Sequence, residues 1–205
     1  MSLLTGNAVA IGQSVQPSPS RSFEENRDEV WNGVLVMSPL ANDEHQELVG
    51  LLVAVFLAVV HTGKPWKVRP GVNVSDREKG WEENYRIPDI AVFLPGTKAK
   101  NCDTHWCGGP DFGVEIVSDK DQTHEKLPFY AKVNTCEVLL VDRDPWCLSL
   151  YRLDEKEMVL VGKSSLDSPA DLVSAVLPLT FRLIPGDERP AIEVTSSDKT
   201  QRWVV

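Results

Sequence analysis

Two short runs of β-forming residues constrain this chain more than any other feature. RIPDIAVF (86–93) and, after a loop, DFGVEIVS (111–118) each carry one carboxylate, Asp89 and Glu115, among residues suited to a buried strand. An ionised acid inside a sheet costs free energy unless a partner compensates it. Strand alternation puts Phe112, Val114 and Ile116 on one face and Glu115 with Val117 on the other. In the earlier run, Asp89 shares a side with Ile87, Ala91 and Phe93. Pro88 cannot donate to a ladder, so that strand is at an edge or distorted beside Asp89.

If the two strands are neighbours, the acids converge. Two like charges ~4 Å apart at an effective dielectric of ~20 repel by roughly 4 kcal/mol. Such a pair needs a shared proton, a basic side chain or a bound cation. Hard oxygen ligands favour Mg²⁺ or Mn²⁺. Lys126, at the start of the next predicted helix, is placed to fold back toward Glu115. Spacing alone leaves two readings open, a metal site and a structural Asp–Lys–Glu salt-bridge cluster.

The rest of the chain supplies the frame. WNGVLVMS (31–38) predicts a strand entered through Gly33. ANDEHQELVGLLVAVFLAVVHTG predicts a long helix, capped by Asn42 or Asp43 and ended by Gly63. His45, Leu48, Val49, Leu52 and Phe56 fall on one of its faces. DQTHEKLPFYAKVN (121–134) predicts a second helix, provided Pro128 lies in its first turns. EVLLVD (137–142) and LSLYRL (148–153) read as strands joined by a turn at RDPW, with EKEMVLVG and SAVLPLTFRLIPG extending the sheet. This order predicts an α/β fold with a mixed central sheet carrying helices on its faces.

Residues 1–22, rich in Ser, Gly, Pro and Gln, predict a flexible arm; 23–188 form a single domain, and the polar stretch 189–205 a C-terminal tail. The chain of 205 residues is long enough to bury a real core. Its longest apolar run, LVGLLVAVFLAVV (48–60), is too short to cross a bilayer, and the start lacks the basic segment of a secretory signal. A soluble cytoplasmic protein is expected. Four cysteines do not suggest a disulfide framework.

The net charge of −9 argues against nonspecific nucleic-acid binding as the main occupation. It does not exclude a nucleic-acid enzyme, because a metal and a local basic patch can supply attraction. KPWKVR (64–69), with Lys64, Lys67 and Arg69, is the best such patch, read either as a substrate contact or as a solvated hairpin edge. Cys102, His105 and Cys107 lack the second Cys/His pair that a zinc site needs.

Taken together and in order, PDIAVF, VEIVS, EKLPFYA, EVLLVDRDPW and LYRL resemble the Uma-type (Uma-two) restriction endonuclease family of the PD-(D/E)XK nuclease superfamily. WNGVLVMSPLANDEHQ is similar to that family's opening and SAVLPLTFRL to its close, so the resemblance runs from about residue 28 to 185. It implies a restriction-endonuclease-like core with an added N-terminal β/α segment, hydrolysing DNA. It also implies Mg²⁺ or Mn²⁺ held by Asp89, Glu115 and the backbone carbonyl of Ile116. The superfamily pattern has a catalytic lysine two residues after the glutamate, where this chain has Val117. The resemblance moves that role to Lys126, with Lys120 as second candidate.

A third acidic ligand would come from Glu44 or Glu47, although both suit a solvent-facing side of the first helix. His45 stands at the family's early histidine, as a core histidine or as an active-site contact. Tyr130, one turn after Lys126, reads as packing or as a substrate contact. Two other functions stay open: a noncatalytic nuclease-fold protein that binds nucleic acid or a partner chain, and a homodimer whose acidic cluster is only structural.

Overall fold

Asn32 and Gly33 both take positive φ, 50° and 85°. That is the backbone of a two-residue type I′ turn, which Asn-Gly favours. The segment expected to be one strand at 31–38 therefore folds back on itself, pairing β1 (Glu29–Trp31) with β2 (Val34–Val36). The turn draws Glu29 into the sheet. This computed structural model describes residues 27–60, 65–118 and 122–205. The predicted arm at 1–22, Gly63, Lys64 and Lys120 lie outside them.

Helix α1 (Asp43–Val60) follows, with Asn42 Oδ1 accepting the His45 N–H at 3.0 Å as its cap. Next come β3 (Lys67–Pro70), β4 (Val74–Ser75), β5 (Tyr85–Arg86), β6 (Ile90–Phe93), β7 (Lys100–Asn101), β8 (Trp106–Cys107) and β9 (Phe112–Ile116). A 3₁₀ turn at Thr123–Lys126 leads into α2 (Leu127–Lys132). The helix is thus shorter than expected, and Pro128 falls in its first turn, where its missing N–H breaks no bond. Then follow β10 (Glu137–Arg143), β11 (Trp146–Asp154), β12 (Glu157–Ser165), β13 (Leu172–Val173), β14 (Leu179–Ile184), β15 (Ala191–Ser196) and β16 (Arg202–Val204).

The central sheet has the order β12-β11-β10-β9-β6-β3, with β9 and β10 parallel and the other neighbours antiparallel. It is the mixed sheet that the residue pattern predicts. β6 lies inside it rather than at an edge and begins at Ile90, so Pro88 and Asp89 precede the ladder. On one face, Leu48, Leu52 and Phe56 of α1 pack with Val114, Ile116 and Leu139. Phe56, Phe112 and Phe181 meet ring to ring at 5.6–6.4 Å. On the other face, Tyr130 and Val133 cover Val138 and Leu140. Each such fully buried side chain is worth about 1.5–3 kcal/mol.

A second sheet, β2-β1-β5-β4-β8-β7, meets α2 through Val74, and a third, β13-β14-β15-β16, joins the α1 side. The third sheet corrects the expected tail at 189–205. Ile192, Val194 and Val205 are buried in the main core there, and β15 pairs with both β14 and β16. No described helix is long and apolar enough to cross a membrane.

Candidate active site

Asp89 sits at the mouth of β6, where the chain enters the ladder. Its Oδ2 accepts the Ile116 N–H at 2.8 Å. Its Oδ1 lies 2.8 Å from both Arg27 Nη1 and His45 Nε2. His45 comes from the first turn of α1, and its Nδ1 is 3.3 Å from the Ser118 hydroxyl. The histidine is buried, and its ring nitrogen reaches the acid.

The β6–β9 ladder stops at the Ile90–Val114 pair, so Ile116 lies beyond its last rung. Its N–H goes to the Asp89 side chain, and Pro88, which precedes the ladder, has no N–H with which to extend it.

Glu115 projects to the opposite face of β9 from Phe112, Val114 and Ile116, as alternation requires. Lys126 Nζ lies 3.2 Å from each of its oxygens, and the Tyr130 hydroxyl donates to Oε1. Tyr130 therefore does more than pack: its buried hydroxyl anchors Glu115. Lys126 is also 2.9 Å from Glu29 Oε1. Glu29 in turn accepts the Ile87 N–H at 2.8 Å and the Trp31 indole N–H at 2.8 Å. Behind it, the Arg86 guanidinium lies 4.2 Å from the ring centroids of Trp31 and Phe129.

His45, Glu29, Asp89, Glu115 and Lys126 are each no more than 6 % exposed, so water screens the interactions among them only weakly. Burial pushes the Glu115 carboxyl up to about 8. Lys126 pulls it back down, while Asp89 and Glu29 repel its ionised form. Tyr130 is raised well above its ordinary value by burial and by Glu115, so its hydroxyl stays a donor.

Arg27, Ser38, His45, Asp89, Glu115 and Lys126 line one cavity of about 30 Å³, room for an ion or about one water. Among the described residues no three His, Cys, Asp or Glu side chains form a ready metal cluster. Two carboxylates and a carbonyl are nevertheless the sparse, hard-oxygen set that suits Mg²⁺, which keeps several waters and shares substrate phosphates. A divalent cation here would also offset the charge repulsion that raises Glu115. The residues fit the ion.

Other expected residues lie elsewhere. Glu44 pairs with Arg143 and Glu47 with Arg189, both at 2.9 Å, so neither α1 acid reaches the cavity. Lys67 stands opposite Phe93, at the far end of β6 from Asp89, with its ammonium 5.4 Å from the Trp106 ring. Lys67 and Arg69 are exposed on the edge strand β3. Val117 gives its N–H to Val141 at 2.9 Å and contributes no charge. His105 stacks on Trp81 and contacts the Arg77 carbonyl at 3.1 Å.

Glu29 and Arg27 complete the cluster without having been singled out in the sequence. The Asn32-Gly33 turn was the available signal for Glu29. Lys126→Met would leave Glu29 and Glu115 facing each other without their shared cation. Removing one partner from such a buried group typically costs about 3–5 kcal/mol. The loss of melting temperature is expected to be larger at pH 8 than at pH 5.5, where Glu115 holds a proton. Differential scanning calorimetry at the two pH values checks this.

Among the comparisons, a family described as "Putative restriction endonuclease", Uma2, matches residues 18–183. The fold is also similar to the crystal structure of a "putative nuclease belonging to DUF820" from Anabaena variabilis, at a TM-score of 0.55 and 22% identity. That alignment covers 72% of this chain and 80% of the Anabaena protein. No curated protein matches the chain. With residues 18–183 of its 205 matched, this chain belongs to the Uma2 family.

Proposed function

We propose that this protein is a divalent-metal-dependent endonuclease that hydrolyses phosphodiester bonds in DNA. One observation carries the reading: Asp89, Glu115 and Lys126, brought by three separate segments, line a single cavity. Asp89, Glu115 and the Ile116 carbonyl would hold Mg²⁺ or Mn²⁺. When bound, the ion polarises the scissile phosphate and lowers the pKa of a coordinated water.

The chain's own groups do the rest. Lys126 orients the attacking water and donates to the charge that develops on the phosphoryl oxygens. Glu29 also holds Lys126, at 2.9 Å, so the ammonium is fixed before substrate arrives. Tyr130 fixes one Glu115 oxygen, and His45, steadied by Ser118, fixes one Asp89 oxygen. Attack in line with the P–O3′ bond leaves a 5′-phosphate and a 3′-hydroxyl. The family's description as a restriction endonuclease supports DNA as the polymer.

The partners already on both Asp89 oxygens favour a second reading, a nuclease fold that binds nucleic acid or a protein without cutting. The two readings separate on supercoiled plasmid. Wild-type protein with Mg²⁺ or Mn²⁺ is expected to give nicked circles whose ends DNA ligase reseals, and EDTA is expected to stop the reaction. No nicking with either metal, or nicking indifferent to EDTA, would favour the noncatalytic reading.

A further inference from the structure

Asp89 has its Oδ1 shared by two donors, Arg27 Nη1 and His45 Nε2, each at 2.8 Å. Its Oδ2 is committed to the Ile116 N–H. A cation coordinated by this carboxylate must displace one partner or crowd against it. The three differ in how firmly they are held. The Ile116 N–H belongs to a central strand. His45 is rooted in α1, nearly inaccessible, and bonded on its other nitrogen to Ser118.

Arg27 is the loose one. Its side chain is 38% exposed, and it reaches Asp89 from the segment before β1 over the bare backbone of Gly71. A Cβ at Gly71 would lie 3.5 Å from Arg27 Nη2, so the guanidinium rests in van der Waals reach of that glycine. Arg27 also lines the same cavity as Glu115 and Lys126. Its charge is permanent and cannot be shed to make way for a metal. A guanidinium beside a bound cation repels it, so the two compete for the same carboxylate oxygen.

Resting on the metal-site reading above, we propose that Arg27 is a built-in competitor for the cation at Asp89, released to a substrate phosphate when the cation enters. A displaced guanidinium at the cavity mouth would be a forked donor suited to a phosphodiester. Cation and DNA then help each other: the ion frees Arg27 for the phosphate, and the phosphate removes the ion's competitor. Such coupling is reciprocal by linkage. Without DNA the ion binds weakly, which suits an enzyme whose cut is irreversible.

Mn²⁺ titration calorimetry on wild type, Arg27→Ala and Arg27→Lys tests this without reference to activity. Arg27→Ala is expected to bind Mn²⁺ about tenfold more tightly than wild type, with Arg27→Lys closer to wild type. A fluorescent duplex with phosphorothioate linkages is expected to bind wild type more tightly with Mn²⁺ than without. That gain should shrink in Arg27→Ala. Equal or weaker Mn²⁺ binding in Arg27→Ala, with wild type still binding, would overturn the role of Arg27 and leave the metal site intact. Failure of both chains to bind Mn²⁺ would overturn the metal site and the role of Arg27 together.

Discussion

Asp89→Ala is expected to bring plasmid cleavage down by at least about three orders of magnitude, to background. That corresponds to roughly 4 kcal/mol of lost transition-state stabilisation. The substitution removes a carboxylate ligand that no neighbour can replace: Glu44 and Glu47 are tied to arginines, and Glu29 is tied to Lys126, the Ile87 N–H and the Trp31 indole. It also has a structural cost. The Ile116 N–H loses its acceptor, and Arg27 and His45 lose their shared anion. Removing one partner from a buried ionic group costs about 3–5 kcal/mol, against a total stability of about 5–15 kcal/mol. Activity is therefore to be read beside the melting temperature. A folded Asp89→Ala protein that cuts as fast as wild type would remove Asp89 from the active site and point to a contaminating nuclease.

Glu115→Gln is expected to do two opposite things, to stabilise the fold and to abolish cation binding. The sign follows from linkage. Burial raises Glu115 from 4.5 to about 8 in the folded chain. Between those values the folded state holds a proton that the unfolded state has lost, so stability falls as pH rises through this window. Glutamine never ionises and keeps a donor and an acceptor for its neighbours, while Lys126 retains Glu29. The variant is expected to match wild type at pH 5 and to exceed it at pH 8 by on the order of 3 kcal/mol. Thermal melts across pH 5–8 read the difference. A variant less stable than wild type at pH 8 would mean that the Lys126–Glu115 attraction outweighs burial. Residues that destabilise the fold yet persist at its centre are those expected to serve function rather than stability.

The two strands with their acids were legible in the sequence because alternation is a local signal. It puts Glu115 opposite Phe112, Val114 and Ile116, and the apolar face of α1 fixes His45 in the same way. The reach of Lys126 to Glu115 was also foreseeable, since only ten residues separate them. Other parts depended on pairings between distant segments. Glu29 comes to Lys126 only because β1 turns back at Asn32-Gly33 and pairs with β5. Arg27 reaches Asp89 across 62 positions of sequence. The last sheet was hidden by composition: ERPAIEVTSSDKTQRWVV is polar overall, yet Ile192 and Val194 alternate with the partly exposed Glu193 and Thr195 as strand residues should. Pro88 was open to two readings, an edge or a distortion, and the second holds: the ladder begins only after it, with Asp89 beside Ile116.

The central claim is that this cluster of buried acids is a cation site and not only a salt-bridge knot. Titration of Mn²⁺ into wild type and Glu115→Gln, followed by calorimetry at pH 6.5 and 7.5, tests it most directly. Wild type is expected to bind one ion per chain, more tightly at the higher pH because the ion displaces the Glu115 proton. Glu115→Gln is expected to show no binding at either pH. No heat in wild type, or the same isotherm in both proteins, would contradict the claim.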